Sequence, residues 1–405
     1  MLYLGLGGIR MDMLLKLAII VLAGCLAGKL AKAAKLSNVF GFLLAGVFLG
    51  PSGLKLVSGQ DLTSLSIVGE IAVAILAFKI GSEFVLKDMN KLGRPFMIIT
   101  FAEVAGAVLV AFSVMHFWLK QDPVFSLIIA SIAATTAPAA TIMVMRQFRS
   151  DGPVTRTLIP VAALDGVLGV FLFGIAMSIA QNVMLGVDSR LWQIVGRAML
   201  EVFGSLVLGA LLGLGLTFLA RKAGDSDELL LMTIAMILAS TGAAKALTMS
   251  PLLTNIVMGT VLVNLTQNAN RVFFSLNNFT PPVYLLFFTL AGASVNLRTL
   301  QGVGLIGLGY ILARAAGKLL GAWTGSKVVG AEPTVQKYLG VALLPQGGLS
   351  VALAVLAYHH LPAVGMAVIA IMVCGALLYE VAGPIMAKTA IQRAGEIRGM
   401  TSTIR

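Results

Sequence analysis

Charge is what this chain has least of. Asp, Glu, Lys and Arg make up 11% of its 405 residues against 58% hydrophobic, and the mean hydropathy is +0.97. Soluble domains carry about 25% charged residues, so that class is excluded. Polar alternation is missing too. The apolar stretches are continuous and rich in Leu, Ala and Gly, whereas the strands of a membrane barrel would alternate over about ten residues. What remains is a polytopic helical membrane protein, because a lipid-embedded backbone must satisfy its own hydrogen bonds. Cysteine is scarce as well: the 2 present, Cys25 and Cys374, both fall inside predicted helices, so neither a disulfide frame nor a metal cluster is expected. Basic residues outnumber acidic ones, 29 to 17, but are spread thinly over many loops. They read as topology signals and not as a nucleic-acid surface. No Ser/His arrangement, paired Asp, metal-ligand set or nucleotide-binding fingerprint stands out, so neither an enzyme nor a cofactor is expected.

Reading the apolar runs between polar breaks predicts helices over 13–31, 38–56, 66–85, 96–118, 123–145, 157–181, 198–220, 228–247, 250–265, 281–296, 302–325, 335–358 and 363–387. The first run lacks a small-residue cleavage site and is read as a retained helix, not a signal peptide. Residues 186–197, with Leu191, Trp192 and Val195, are expected along the membrane surface. Most Lys and Arg fall on one side of these helices, including Lys29, Lys87, Arg146, Arg221 and Lys388. The positive-inside rule then places the N-terminus outside and the C-terminus in the cytoplasm of a cell membrane.

An internal repeat is visible. FAEVAGAVLVAF (101–112) aligns with LARAAGKLLGAW (312–323), Gly81 with Gly292, and Gly46 with Gly259, at nearly constant offset. This divides the chain into a first six-helix half (1–181), a connector with a seventh helix (182–222), a second six-helix half (223–388) and a tail (389–405). An odd helix after an even number inverts the second half, which is the plan of many secondary transporters.

Asp165 stands alone in the otherwise uncharged run TLIPVAALDGVLGVFLFGIAMSIA. An intramembrane carboxylate is expensive and marks an ion or proton pathway by default. Two runs are broken at corresponding positions: AATTAPAAT (133–141) by Pro138, and LLPQGGLSVA (343–352) by Pro345, Gly347 and Gly348. Unwound turns there would free carbonyls for a cation beside the hydroxyls of Thr135 and Thr136.

GFLLAGVFLGPSGL (41–54), FKIGSEF (78–84), SPLLTNIVMGTVLVN (250–264), PPVYLLFFTLAGASVNL (281–297), ARAAGKLLGAW (313–323) and LPQGGLSVALA (344–354) resemble, in order, signatures of the monovalent cation/proton antiporter superfamily, in its branch of Kef-type and NapA-type exchangers. The resemblance implies an NhaA-like fold of about thirteen helices and two inverted repeats, with two broken helices crossing beside an essential aspartate. It implies exchange of Na⁺, K⁺ or Li⁺ for protons by alternating access, usually as a homodimer. Asp165 would be the transient monovalent-cation and proton site. One departure stands out: relatives carry Asp-Asp, Asn-Asp or Gln-Asp, whereas this chain reads Ala-Leu-Asp-Gly, with Leu164 or Gly166 in place of the partner. The tail is too short for the nucleotide-binding domain of Kef-type relatives.

Arg314 and Lys318, one turn apart, face the same way. The resemblance implies a basic residue on this helix that pairs with a core carboxylate, for which Arg314 is the better match; the repeat alignment sets Glu103 opposite Arg314 as its expected partner, and Lys318 either joins it or snorkels to the interface. Lys79 and Glu83 are expected to pair, Lys245 marks a helix end, and His359 and His360 sit at a loop edge. Glu380 reads either as structural or as an accessory acid. The competing functions are a sodium-coupled organic-anion symporter, which needs a larger polar cavity, and a gated K⁺ pathway or sensor subunit, which would move no protons.

Overall fold

The computed structural model describes residues 12–34, 36–82, 84–85, 93–136, 138–184, 191–266, 269–295 and 297–397. They are all-helical. In order the elements are α1 Met13–Ala33, α2 Asn38–Leu49, the short α3 Gly59–Ser64, α4 Ser66–Gly81, and α5 Arg94–Ser113, which runs on through a π-turn, Val114–Trp118. Then follow α6 Pro123–Ala133, α7 Pro138–Gln147, α8 Pro153–Met184, α9 Leu191–Lys222, α10 Ser226–Ala246 and α11 Pro251–Leu265. The last are α12 Ala269–Ala293, α13 Leu297–Val328, α14 Pro333–Ala342, α15 Gly348–His360 and α16 Pro362–Arg393. Among the described residues, seven helices are long and apolar enough to cross a membrane, and the shorter α2, α6, α11 and α15 are apolar too.

Local chemistry sets the helix ends. Asp122 accepts from the N–H groups of Val124 and Phe125 (2.8 and 3.2 Å) ahead of α6, and Asp225 accepts from Glu228 N–H (2.7 Å) ahead of α10. Pro123, Pro251, Pro333 and Pro362 stand in first turns, where the missing N–H costs nothing. Ser58 and Asp61 form a capping box at α3, and Lys16 reaches Asp61 at 2.7 Å. Burial pushes the Asp61 carboxyl up, but the bonds from Lys16 and Ser58 outweigh it and hold the group below its ordinary value.

Some elements differ from the sequence expectation. α12 begins at Ala269, twelve residues before the predicted start, and runs through Pro281 and Pro282. The Asn277 carbonyl, which Pro281 leaves without its helical donor, accepts from the Thr280 hydroxyl at 3.3 Å. α2 stops at Leu49, where the chain turns back. Residues 191–197 form the first turns of α9 and not a separate surface segment, and 186–190 lie outside the described residues.

The most extensive helix pairing is α5 with α13. Three glycine contacts join the two halves: a methyl added at Gly46 would strike the backbone of Thr289 and Gly292, one at Gly81 that of Ile256 and Gly259, and one at Gly106 that of Gly317 and Gly321. Removing Cβ lets these backbones approach, as at small-residue interfaces of membrane helices. The outward faces stay apolar, with Leu14, Leu30, Leu200, Phe203, Leu305 and Leu312 all more than half exposed, as lipid-facing surface requires.

Candidate functional site

Two gaps in helix meet at the centre of the molecule. α6 ends at Ala133 and α7 begins at Pro138; α14 ends at Ala342 and α15 begins at Gly348. The intervening residues 343–347 are buried although they make no helical turn, so their carbonyls need partners. The two gaps touch: Thr136 Oγ1 lies 3.2 Å from the Leu343 carbonyl, and Thr141 Oγ1 lies 3.2 Å from that of Ala342.

Three further helices bring charge to this point. α8 carries Asp165, α5 carries Glu103, and α13 carries Arg314 and Lys318, all four side chains being 0% exposed. Gly169 lets α8 approach the gap, since a Cβ there would strike Thr135. Lys318 Nζ lies 2.9 Å from Asp165 Oδ2, 2.8 Å from the Ala134 carbonyl and 2.7 Å from Thr136 Oγ1, and also donates to Glu103 Oε1. An ammonium has three protons, so it holds these four acceptors by sharing. Thr136 Oγ1 donates to Asp165 Oδ2. Asp165 Oδ1 and Glu103 Oε2 have no hydrogen-bond partner among the described residues.

Arg314 is spent differently. It donates to the Leu344 carbonyl (2.7 Å) and the Thr135 carbonyl (2.8 Å), one from each gap, and its guanidinium lies 4.7 Å from the Tyr379 ring centre. The expected Arg314–Glu103 pair is therefore not formed. Lys318 holds Glu103 instead, while Arg314 is taken up by the Leu344 and Thr135 carbonyls, and at 0% exposure the snorkelling alternative for Lys318 does not apply. Thr135 departs as well: its hydroxyl turns back on the Ile132 carbonyl (2.8 Å), leaving only its own carbonyl in the crossing. The freed carbonyls of residues 134, 135 and 344 are occupied by Lys318 and Arg314. Pro138, Pro345, Gly347 and Gly348 all sit at the gaps, with Gly347 in extended backbone ahead of α15.

Two residues were not singled out by sequence. Gln346, 1% exposed, donates to the Tyr310 hydroxyl at 2.8 Å; a lone amide between Pro345 and Gly347 was the available signal. Glu396 takes the N–H groups of Val154 (2.7 Å) and Thr155 (2.8 Å) and the Thr155 hydroxyl (2.6 Å), capping α8, the helix of Asp165. Elsewhere, Glu70 pairs with Lys245, on the last turn of α10, at 2.5 Å, while Glu83 lies outside the described residues. His360 is exposed at the end of α15.

A cleft of about 1450 Å³ lies among the described helices and does not contain Asp165. It follows the later half of α8 from Phe173 to Asn182 and opens between α8, α9, α10 and α15, with Glu70, Lys245, Glu201 and His360 on its walls. Phe173 stands eight positions beyond Asp165 on α8, roughly 12 Å of rise.

Comparison with known proteins gives a family model described as the transmembrane sodium/hydrogen exchanger, matching residues 17–388. The iron transporter MagA of Paramagnetospirillum magneticum is 28% identical over 254 residues, 62% of this chain but only 56% of that protein's length. The high-affinity Na⁺/H⁺ antiporter NhaS3 of Synechocystis is 25% identical over 391 residues, covering 84% of this chain and 82% of that protein. Among solved structures, the sodium proton antiporter MjNhaP1 of Methanocaldococcus jannaschii at pH 8 superposes with a TM-score of 0.77 and 17% identity, over 94% of this chain and 98% of that one.

Proposed function

Because this chain belongs to the transmembrane sodium/hydrogen exchanger family, we propose that it exchanges a monovalent cation, Na⁺ or K⁺, for protons by alternating access, with Asp165 as the shared site. The observation that carries this reading is the setting of Asp165: a fully buried carboxylate with one oxygen unpartnered, its other oxygen held only by groups that can be displaced. A carboxylate in so dry a place is costly as a bare charge, so it needs a proton, a cation or Lys318. In the present arrangement Lys318 supplies the charge. An arriving cation would take the Asp165 oxygens and the Thr136 hydroxyl while Lys318 withdraws; an arriving proton would neutralise Asp165 directly. The two compete for one group, and that competition is exchange.

The surrounding architecture supports the same reading. If each gap interrupts one pass, the helices other than short α3 make thirteen passes, α6 with α7 and α14 with α15 each counting as one. The glycine contacts pair α2 with α12 and α4 with α11, while α5 pairs with α13. A twofold relation matching α2 to α11 and α4 to α12 carries the first contact into the second and the third into itself, as inverted repeats require. The cleft reaches one end of α8 and stops short of Asp165, as a vestibule would on one side of an alternating-access cycle. With the C-terminus in the cytoplasm of a cell membrane, that vestibule faces outside. Homodimeric assembly belongs to the reading on family grounds. The oxygen donors suit hard cations, and among the described residues no group of three His, Cys, Asp or Glu side chains could hold a metal ion, which disfavours iron as cargo.

The test is proton flux in proteoliposomes across a panel of monovalent cations. Cation-dependent flux is expected in the wild-type protein, and its fall to the level of empty vesicles in Asp165→Asn. Full flux in that variant would remove Asp165 from the mechanism, and cation flux without protons would favour the gated pathway.

A further inference from the structure

Lys318 holds two carboxylates, and only one of them is needed for exchange. Glu103 sits on α5, shares the Lys318 ammonium with the gap residues and Asp165, and is 0% exposed. It lies on the helix that packs most extensively along α13, with Gly106 meeting Gly317, the residue before Lys318, and Gly321 meeting the Glu103 backbone itself. Glu103 and Lys318 are thus fixed to each other by their own helices, while Asp165 comes from α8 and meets Lys318 across the crossing. Leu164, beside Asp165, offers no polar atom and cannot share the charge.

The buried charges sum to zero when Glu103, Asp165, Lys318 and Arg314 are all ionised. Suppose a cation takes Asp165 and Lys318 withdraws. A lone ammonium in so dry a place would have to give up its proton, but Lys318 is not left alone: Glu103 remains its counter-ion. The cluster then carries one net positive charge. It carries the same net charge when Asp165 is protonated instead. We infer that Glu103 is the permanent counter-ion of Lys318, so that Lys318 keeps its proton throughout the cycle and the protein exchanges one cation for one proton with no net charge moved. The atoms balance on Asp165 alone: one proton leaves its carboxylate as one cation arrives on it. Glu103 is in this sense a positioning residue, which sets stoichiometry without touching the transported ion. This inference rests on the exchange proposed above.

The experiment measures cation-driven proton flux in proteoliposomes with and without a potential set by a permeant-anion gradient, so that no candidate cation sets the clamp. For an exchange moving one net charge, a potential of about 100 mV shifts the equilibrium ion ratio roughly 50-fold. The expected result is no shift for the wild-type protein. In Glu103→Gln, Lys318 has no carboxylate partner but Asp165 and must release its proton when the cation binds, so a shift approaching that size appears, and Glu103→Asp abolishes it again. A potential-dependent wild-type ratio would overturn the inference while leaving exchange intact, and so would a Glu103→Gln variant that exchanges without responding to potential. If Glu103→Gln does not fold, the wild-type measurement decides alone. Absence of proton movement with every cation would overturn the exchange reading, and this inference with it.

Discussion

Two lysine–carboxylate contacts in this molecule have nearly the same geometry and opposite surroundings. At the crossing, Lys318 lies 2.9 Å from Asp165 with both side chains 0% exposed; in the cleft, Lys245 lies 2.5 Å from Glu70 with side chains 44% and 38% exposed. In the cleft, water can take either partner's place, and such pairs contribute about 0–1 kcal/mol. At the crossing nothing else is at hand, and removing one member of a buried pair costs about 3–5 kcal/mol. Distance alone therefore says little about what an ion pair does. What separates the two is whether the group left behind has an alternative partner, and at the crossing that alternative is the transported ion.

The largest expected effect comes from removing the buried ammonium. Lys318→Met leaves Glu103 and Asp165 facing each other without a cation, and should lower unfolding stability by about 3–5 kcal/mol. Thermal unfolding of the purified protein in detergent measures it. The loss should shrink as Na⁺ or K⁺ is raised, since a bound cation replaces the missing charge and stabilises by mass action. A variant as stable as the wild type without added cation would break the contrast with the cleft pair.

Arg314 comes next. It joins the two gaps by donating to one carbonyl of each, with no acid partner in the crossing. Arg314→Met leaves those two carbonyls unpaired, each costing about 1–3 kcal/mol when buried. Arg314→Lys should recover only part of this, because a single ammonium does not reproduce the planar fork. The same melting experiment checks the order Met, Lys, Arg.

Much of this arrangement was legible beforehand, and the residues show why. Asp165 was conspicuous because nothing else in its run is charged, and the gaps were marked by Pro138, Pro345, Gly347 and Gly348. Depth was not legible. Arg314 and Lys318 are one turn apart on one face, so periodicity treats them alike; which one meets Glu103 depends on where α13 crosses the gaps, a tertiary fact. The Glu396 cap on α8 joins residues 241 and 242 positions apart, beyond any local pattern. Prolines misled in the other direction: Pro281 and Pro282 looked like a start, yet α12 runs through them.

The smallest expected effect is at the cleft, and it is the control that gives the others meaning. Lys245→Met leaves the Glu70 carboxylate 38% exposed, so water replaces the lost ammonium, and the change in stability should stay below about 1 kcal/mol. What the pair does contribute should fade with salt, because exposed charges are screened within about 10 Å at 0.1 M ionic strength. Melting wild type and variant at low and high concentrations of a salt of a large, non-transported cation separates screening from ion binding. Convergence of the two curves at high salt is the expected outcome. A Lys245→Met loss as large as that of Lys318→Met, and unchanged by salt, would show the cleft to be dry, and the distinction between the two lysines would have to be redrawn.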